Sequence, residues 1–538
     1  MAKQGWLRLR GAVLVALLLL GLVAVASCRP APPAADKTGE KPPAAGGSPA
    51  LPPAGEGRAG APGGEAPAGD GGAPAPPNKG WAGPAAAAEL HPALVEGRWQ
   101  VGPFANLRSV GWVNPGVAWG WGDLGSSQAF FTLGTDGAFR ARDIPQECEP
   151  AGPHPLPEGA GFVSLHYPQA GEAPQEMTGW YVPMEGEPVC LGPAEGLQLS
   201  PSGRWLLRFC AQGTFLHDTL SWRAAPIPAI PPGGFPYAGL DVTWIDDSLV
   251  AVRHGPGSTE GRGLRLVRLP DGSVAGELSV PGQYLAPLPA PGAEWLAVLH
   301  INAETALFPE EAVHPVGAGQ AITVYSRSSL ASPQPVATAA LALAGGMAAG
   351  LTWSEDGSRL AYAAVAGASL GEAGFGVSYD GPSRVLVASA PGFETEALPL
   401  DPGPVCLPLC FSPGGRYLAL ESSAEGGQPG VGLLWDFVAG KAVPLPQGLR
   451  LYYVEWIGED QLCACAADPS GGLLRPVLVD AATGERAGDV PWAAPYWSPS
   501  PAGYLALKRP LEPGDPLAGP DMAWVGGWLV LYPTRKSP

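Results

Sequence analysis

Few residues in this chain are typed and spaced for chemistry. Gly367 to Gly371 reads G-A-S-L-G. That spacing presents a serine nucleophile, here Ser369, when it sits on a tight strand-to-helix turn. The residues that follow, Glu372 to Gly381, are rich in glycine and supply no helix. Gly120 to Gly125 spells G-W-G-D-L-G, the spacing of a phosphate cradle. "SSQAFF" after it reads as a strand, whereas a phosphate needs a helix N-terminus. A hairpin turn is the better reading. The histidines (His91, His154, His166, His217, His254, His300 and His314) show no paired metal spacing. His166, His254 and His300 each follow an apolar strand, so they could face one rim. Three imidazoles meeting there would hold a metal; rim histidines with local partners are the plainer reading.

Sulfur and aromatic groups offer little more. Cys463 and Cys465 stand two apart on a strand-like run and therefore share a face, which suits burial side by side. Together with Cys406 and Cys410 they would make four thiolates, yet the spacing matches no standard zinc pattern. Cys148 and Cys190 are a candidate disulfide. Trp119 and Trp121 share one strand face, and Trp524 and Trp528 flank a glycine turn. If exposed, these four form an aromatic platform for glycans or peptides; packing between sheets is the alternative. No catalytic residue, metal or cofactor is assigned.

What must position these groups is a repeat. "CFSPGGRYLALESS" (Cys410 to Ser423) has relatives in "LSPSGRWLLRF" (Leu199 to Phe209), "WSEDGSRLAYAAV" (Trp353 to Val365) and "WSPSPAGYLALKR" (Trp497 to Arg509). Taking the residue that ends the first strand of each unit gives Trp112, Leu156, Leu199, Trp244, Leu288, Trp353, Phe411, Trp456 and Trp497. Most steps are about 44 residues with about four short strands each, the period of propeller blades. Two steps are longer and carry insertions at 308–319 and 367–381. In each unit, proline and glycine reverse the chain, and the following strand is apolar on both faces. The anchoring aromatic is expected to pack against the next blade.

The repeated unit resembles the WD40-like propeller repeat of the TolB type, also seen in the propeller domains of prolyl oligopeptidases. The resemblance spans roughly residues 105–533, with Ser200, Ser354 and Ser412 opening the turns. It implies an all-β fold, a single β-propeller of about eight blades over 94–538. Seven and nine are left open, because nine anchors exceed the usual roughly six to eight blades: one unit could be a closing hairpin, or a strand near Arg98 to Val101 could complete the last blade.

The N-terminus is organised differently. Lys3, Arg8 and Arg10 precede an apolar run, Gly11 to Ala26, which is short for a membrane span and right for a signal segment. It ends in "VASC", Val25 to Cys28. This resembles the bacterial lipobox, which implies that residues 1–27 are removed and Cys28 is acylated in the bilayer. From Arg29 to Gly80, 38 of 52 residues are Pro, Ala or Gly, which leaves too little apolar surface to offset chain entropy. Residues 28–93 are therefore expected to be a disordered tether.

A net charge of −18 argues against nucleic acid, whose phosphates need clustered Lys and Arg. The expectation is an extracytoplasmic, lipid-anchored protein on the cell membrane. Its propeller would bind an envelope protein, a glycan or another ligand without catalysis. The alternative is a propeller enzyme of lyase, lactonase or dehydrogenase type with its site in the central funnel.

Overall fold

In the computed structural model, the described residues lie between Ala93 and Pro533 and belong to one compact unit. The longer segments left out between them are 145–152, 167–176, 233–241, 255–262, 303–318, 371–376, 423–431, 467–474, 490–496 and 509–526. Residues 1–92, on which the expected signal segment, Cys28 and most of the expected tether fall, also lie outside the described residues. Among the described residues no helix is long and apolar enough to cross a membrane.

Strand pairing gives eight four-stranded antiparallel sheets in chain order. The first pairs Asn106–Asn114, Val117–Leu124, Ser127–Gly134 and Phe139–Ile144. The third pairs Gly196–Leu199, Trp205–Cys210, Gly213–Asp218 and Ala224–Pro226. A further five-stranded sheet draws on both ends of the chain: Arg98–Phe104 pairs with Gly527–Pro533, which pairs with Gly503–Lys508 and then Trp497–Ser500. This closing sheet touches the first blade through Asn106–Asn114 and the eighth through Leu449–Trp456. The molecule is a β-propeller. Its eight four-stranded blades match the favoured number, and with the closing sheet there is one sheet for each of the nine anchors.

The apolar core is distributed among the seams between blades. Leu207 and Phe209 of the third blade meet Val242, Trp244 and Val250 of the fourth. Ala297 and Ile322 of the fifth meet Trp353 and Tyr362 of the sixth. Tyr417 and Leu434 of the seventh meet Leu451 and Leu462 of the eighth. The second strand of each blade contributes to the seams on both sides, which is why its sequence does not alternate. The anchoring aromatics correct one expectation. They lie on the sheet face covered by the preceding blade, not the next: Trp353 packs on the fifth blade, and its indole N–H donates to the Leu288 carbonyl at 3.0 Å.

The repeated turn is built the same way in three blades. The N–H of Ser200, Ser354 and Ser412 donates to the carbonyl five residues on, at 2.8, 2.9 and 2.8 Å. Each serine hydroxyl accepts the N–H of that same residue (Trp205, Arg359 or Tyr417) at 3.1, 2.9 and 2.9 Å. The chain reverses at Gly203, Gly357 and Gly415, whose φ values of 76°, 70° and 73° favour glycine. The arginine after the turn then pairs with an aspartate ending the third strand: Arg204 with Asp218 and Arg416 with Asp436. Asp436 in turn accepts the N–H groups of Val438 and Ala439. Burial works against its charge, but Arg416 and those amides outweigh it and hold the carboxyl below its ordinary value.

Candidate functional site

Antiparallel order gives the ring two unlike faces. Connections from first to second and from third to fourth strands emerge on one face. They are short throughout, as in 200–204, 354–358, 412–416, 219–223 and 437–440. Connections from second to third strands, and from one blade to the next, emerge on the other. These include 167–177, 227–241, 255–262, 303–318, 367–382, 423–431, 467–474 and 509–526. The two insertions recognised in the sequence therefore share this loop face. Part of one is a hairpin in which Ala368–Leu370 pairs with Val377–Tyr379; 308–318 lies outside the described residues.

The turn face is tied together by hydrogen bonds that step from blade to blade. Asp247 accepts the Ser202 N–H at 3.0 Å. Glu459 accepts the Ser412 hydroxyl at 2.6 Å, the Arg416 N–H at 3.0 Å and the Gly414 N–H. Residues 202 and 414 hold the same place in their turns. The period seen in the sequence thus recurs as a contact between a turn and the next blade's carboxylate. This face is committed to holding blades together.

The sequence candidates fall as follows. Trp119 and Trp121 are 1% and 6% exposed, so they form no surface platform. Trp119 stacks on Phe130 with ring centroids 5.8 Å apart, and Arg108 lies 5.2 Å over Trp121. The reason is their strand: Val117–Leu124 is a second strand and is covered on both sides. Trp528 lies on the closing sheet opposite Lys508, its side chain outside the described residues, as is all of Trp524. Ser369 sits in the hairpin, not on a strand-to-helix elbow. Gly120 lies under the Phe131 ring, where a Cβ would come within 2.5 Å of Cζ, so packing accounts for it.

His166 and His254 end second strands of the second and fourth blades, and His300 lies near the end of the fifth's. All three are thus at the loop face, on different blades. Among the described residues no three His, Cys, Asp or Glu side chains are grouped to hold a metal. Cys190 is half-buried and free of a disulfide partner among the described residues; Cys148, its expected partner, lies outside them. Cys406 is buried, and burial, aided by Glu421, pushes its thiol up to about 12.

One constellation escaped the sequence reading. Arg208 lies two residues from the loop-face end of Trp205–Cys210 and points into the seam with the second blade. It is 6% exposed, the one lysine or arginine buried among the described residues. Its Nε donates to His217 Nε2 at 3.1 Å, and Nη1 donates to the Pro193 carbonyl and lies 3.7 Å from Cys210 Sγ. Its guanidinium stacks 4.3 Å from the centre of the Phe215 ring. Burial first, and then the Arg208 charge, push His217 down to about 4. His217 is therefore neutral near pH 7 and able to accept. The available signal was "WLLRFC", an arginine interrupting a strand otherwise apolar on both faces.

No family model matches this sequence, and no curated protein matches it. Solved structures do. TolB from Acinetobacter baumannii is 14% identical, covering 61% of this chain and 78% of its own, with a TM-score of 0.27. The Dos1 propeller is 11% identical over 71% of this chain and 92% of its own, at 0.36. The propeller domain of the Trilobed protease from Pyrococcus furiosus is 11% identical over 63% and 95%, at 0.32. The likeness concerns fold alone.

Proposed function

We propose that this chain is an extracytoplasmic lipoprotein, anchored through acylated Cys28, whose propeller binds an envelope protein or other ligand without catalysing a reaction. The observation that carries the binding reading is the asymmetry of the two faces. The turn face spends its polar groups on its own blades, at Glu459 and Asp247. The loop face gathers the long, non-repeating connections, and such loops on a rigid scaffold are where recognition residues concentrate. The lipobox-like "VASC" and the Pro/Ala/Gly-rich segment support the anchor and tether.

Two measurements test this. Cys28→Ala should move the protein from the membrane fraction to the soluble one; tight membrane binding by that variant defeats the lipoprotein reading. Photo-crosslinking amino acids at Phe308 and Phe375, on the loop-face insertions, should capture an envelope partner in cells. The same probes at Leu220 and Val438, which are 81% and 76% exposed on the turn face, should not. Equal capture from both faces, or capture from the turn face alone, overturns the binding reading.

A further inference from the structure

Every other described seam between blades is filled chiefly by apolar side chains, whereas the seam between the second and third places a guanidinium in its loop-face half. Its described apolar cluster is small, with Val163, Leu191 and Leu206 at its centre. Arg208 follows two residues after Leu206 on the same strand face. The guanidinium is held on three sides. Phe215 covers one flat face. Gly192 lies beside the guanidinium, where an added Cβ would stand 3.7 to 3.9 Å from Nη1, Cζ and Nη2. Nε and Nη1 are engaged by His217 and the Pro193 carbonyl. Cys210 turns its own S–H to the Gly213 carbonyl at 3.2 Å.

The acceptors that Arg208 bonds are neutral, and no carboxylate among the described residues pairs with it; the acid nearest in the chain's course over this seam, Glu195, keeps a buried Oε2 without a hydrogen-bond partner. Among the described residues Nη2 meets no acceptor, and it is not one of the fully buried orphaned atoms, so it keeps some contact with solvent. A largely buried cation without a counter-charge is costly. A guanidinium fixed by stacking and two hydrogen bonds also loses little further freedom when an anion arrives. The backbone supplies a route. The connections directly over this seam are the short ones, 194–195 and 211–212, while long connections flank it at 167–177 and 227–241.

We propose that Arg208 is the base of a carboxylate-binding subsite that opens on the loop face between the second and third blades. Nη2 keeps its two N–H groups for a carboxylate oxygen, a charge-assisted pair, while Nε and Nη1 stay bound to the protein. His217 and Phe215 are positioning residues: one accepts from Nε and fixes the plane, the other is the shelf beneath it. The inference rests on the loop face being the binding face only for the ligand's route of entry.

The test uses the full chain with sodium acetate and sodium succinate as probes, against sodium chloride at equal ionic strength. Phenylglyoxal modification of Arg208, mapped by mass spectrometry, should be slowed by acetate and succinate and not by chloride. This needs no variant. In calorimetric titrations with succinate, Arg208→Lys keeps the charge and loses the planar fork, so affinity should fall about ten- to a hundredfold, the worth of one charge-assisted pair. Chloride protecting as well as carboxylates, or Arg208→Lys binding succinate with unchanged affinity while folded by circular dichroism, overturns the proposal. Either result leaves the crosslinking test of the loop face unaffected, and failure of that test leaves this one standing.

Discussion

Glu459→Ala probes how the blades are joined. Glu459 stands in the turn between the first and second strands of the eighth blade, and its carboxylate takes three donors from the seventh: the Ser412 hydroxyl, the Gly414 N–H and the Arg416 N–H. Ser412 is fully buried, so its hydroxyl has no access to water once the carboxylate is gone. Gly414 and Arg416 are more open, and water can replace part of what they lose. A hydrogen bond to a charged group contributes roughly 1.5–3 kcal/mol when well shielded and less when exposed. The three together are expected to be worth about 2–4 kcal/mol. Asp247 provides the comparison, since across its seam it takes the exposed amide of Ser202. Asp247→Ala should cost about 0.5–1 kcal/mol on the same scale. Glu459→Gln keeps one acceptor oxygen and should fall between. The assay is urea unfolding followed by tryptophan fluorescence, with hydrogen exchange read at the Gly414 and Arg416 amides. Those two amides should exchange faster in Glu459→Ala. An Asp247→Ala loss as large as that of Glu459→Ala, or wild-type exchange at both amides, refutes the account of the turn face.

Other outcomes follow from the same geometry. Trp119→Ala removes a fully buried ring stacked on Phe130 and should cost about 3–5 kcal/mol, seen as a lowered thermal midpoint. His217 has a folded pKa near 4 against an ordinary value of 6.5, so the folded state binds fewer protons than the unfolded one. Stability should therefore fall as pH drops from about 6.5 to about 4, by roughly 3 kcal/mol in all, and His217→Gln should flatten that part of the pH profile. Asp218, held low by Arg204, should add its own loss only in stronger acid, where the carboxylate begins to protonate. Iodoacetamide at pH 8 should label Cys190 well before Cys406, whose thiol is buried and pushed up to about 12; equal rates would contradict the packing of that seam.

The legible part of this protein was its repeat. The aromatic anchors, the Ser-Pro-Gly turns and the apolar second strands are local requirements, met by residue type within a dozen positions, so they can be read without knowing what lies opposite. Ser412, Gly415 and Tyr417 show this: one serine accepts a nearby amide, one glycine takes a positive φ, one aromatic starts a buried strand. A strand from the N-terminal end completing the last sheet was one of two readings of the surplus anchor, and the pairing of Arg98–Phe104 with Gly527–Pro533 decides for it. The fate of Trp119 and Trp121 was not. A shared face says nothing about whether a neighbouring sheet covers it, and here one does.

The contacts across seams were equally hidden. Asp247 and Glu459 do the same work with different side chains in turns of different length, so no motif links them. Their role exists because one blade's rotation brings each beside residues about 45 positions earlier. Arg208, His217, Cys210 and Gly192 are unremarkable as neighbours in sequence. Only the stacking of the third blade on the second makes them a cationic site. By itself the sequence determined the blade and its period, because those are satisfied locally. The tertiary structure decided which face carries the loops and which seam holds a charge, because both depend on how strands alternate around a closed ring.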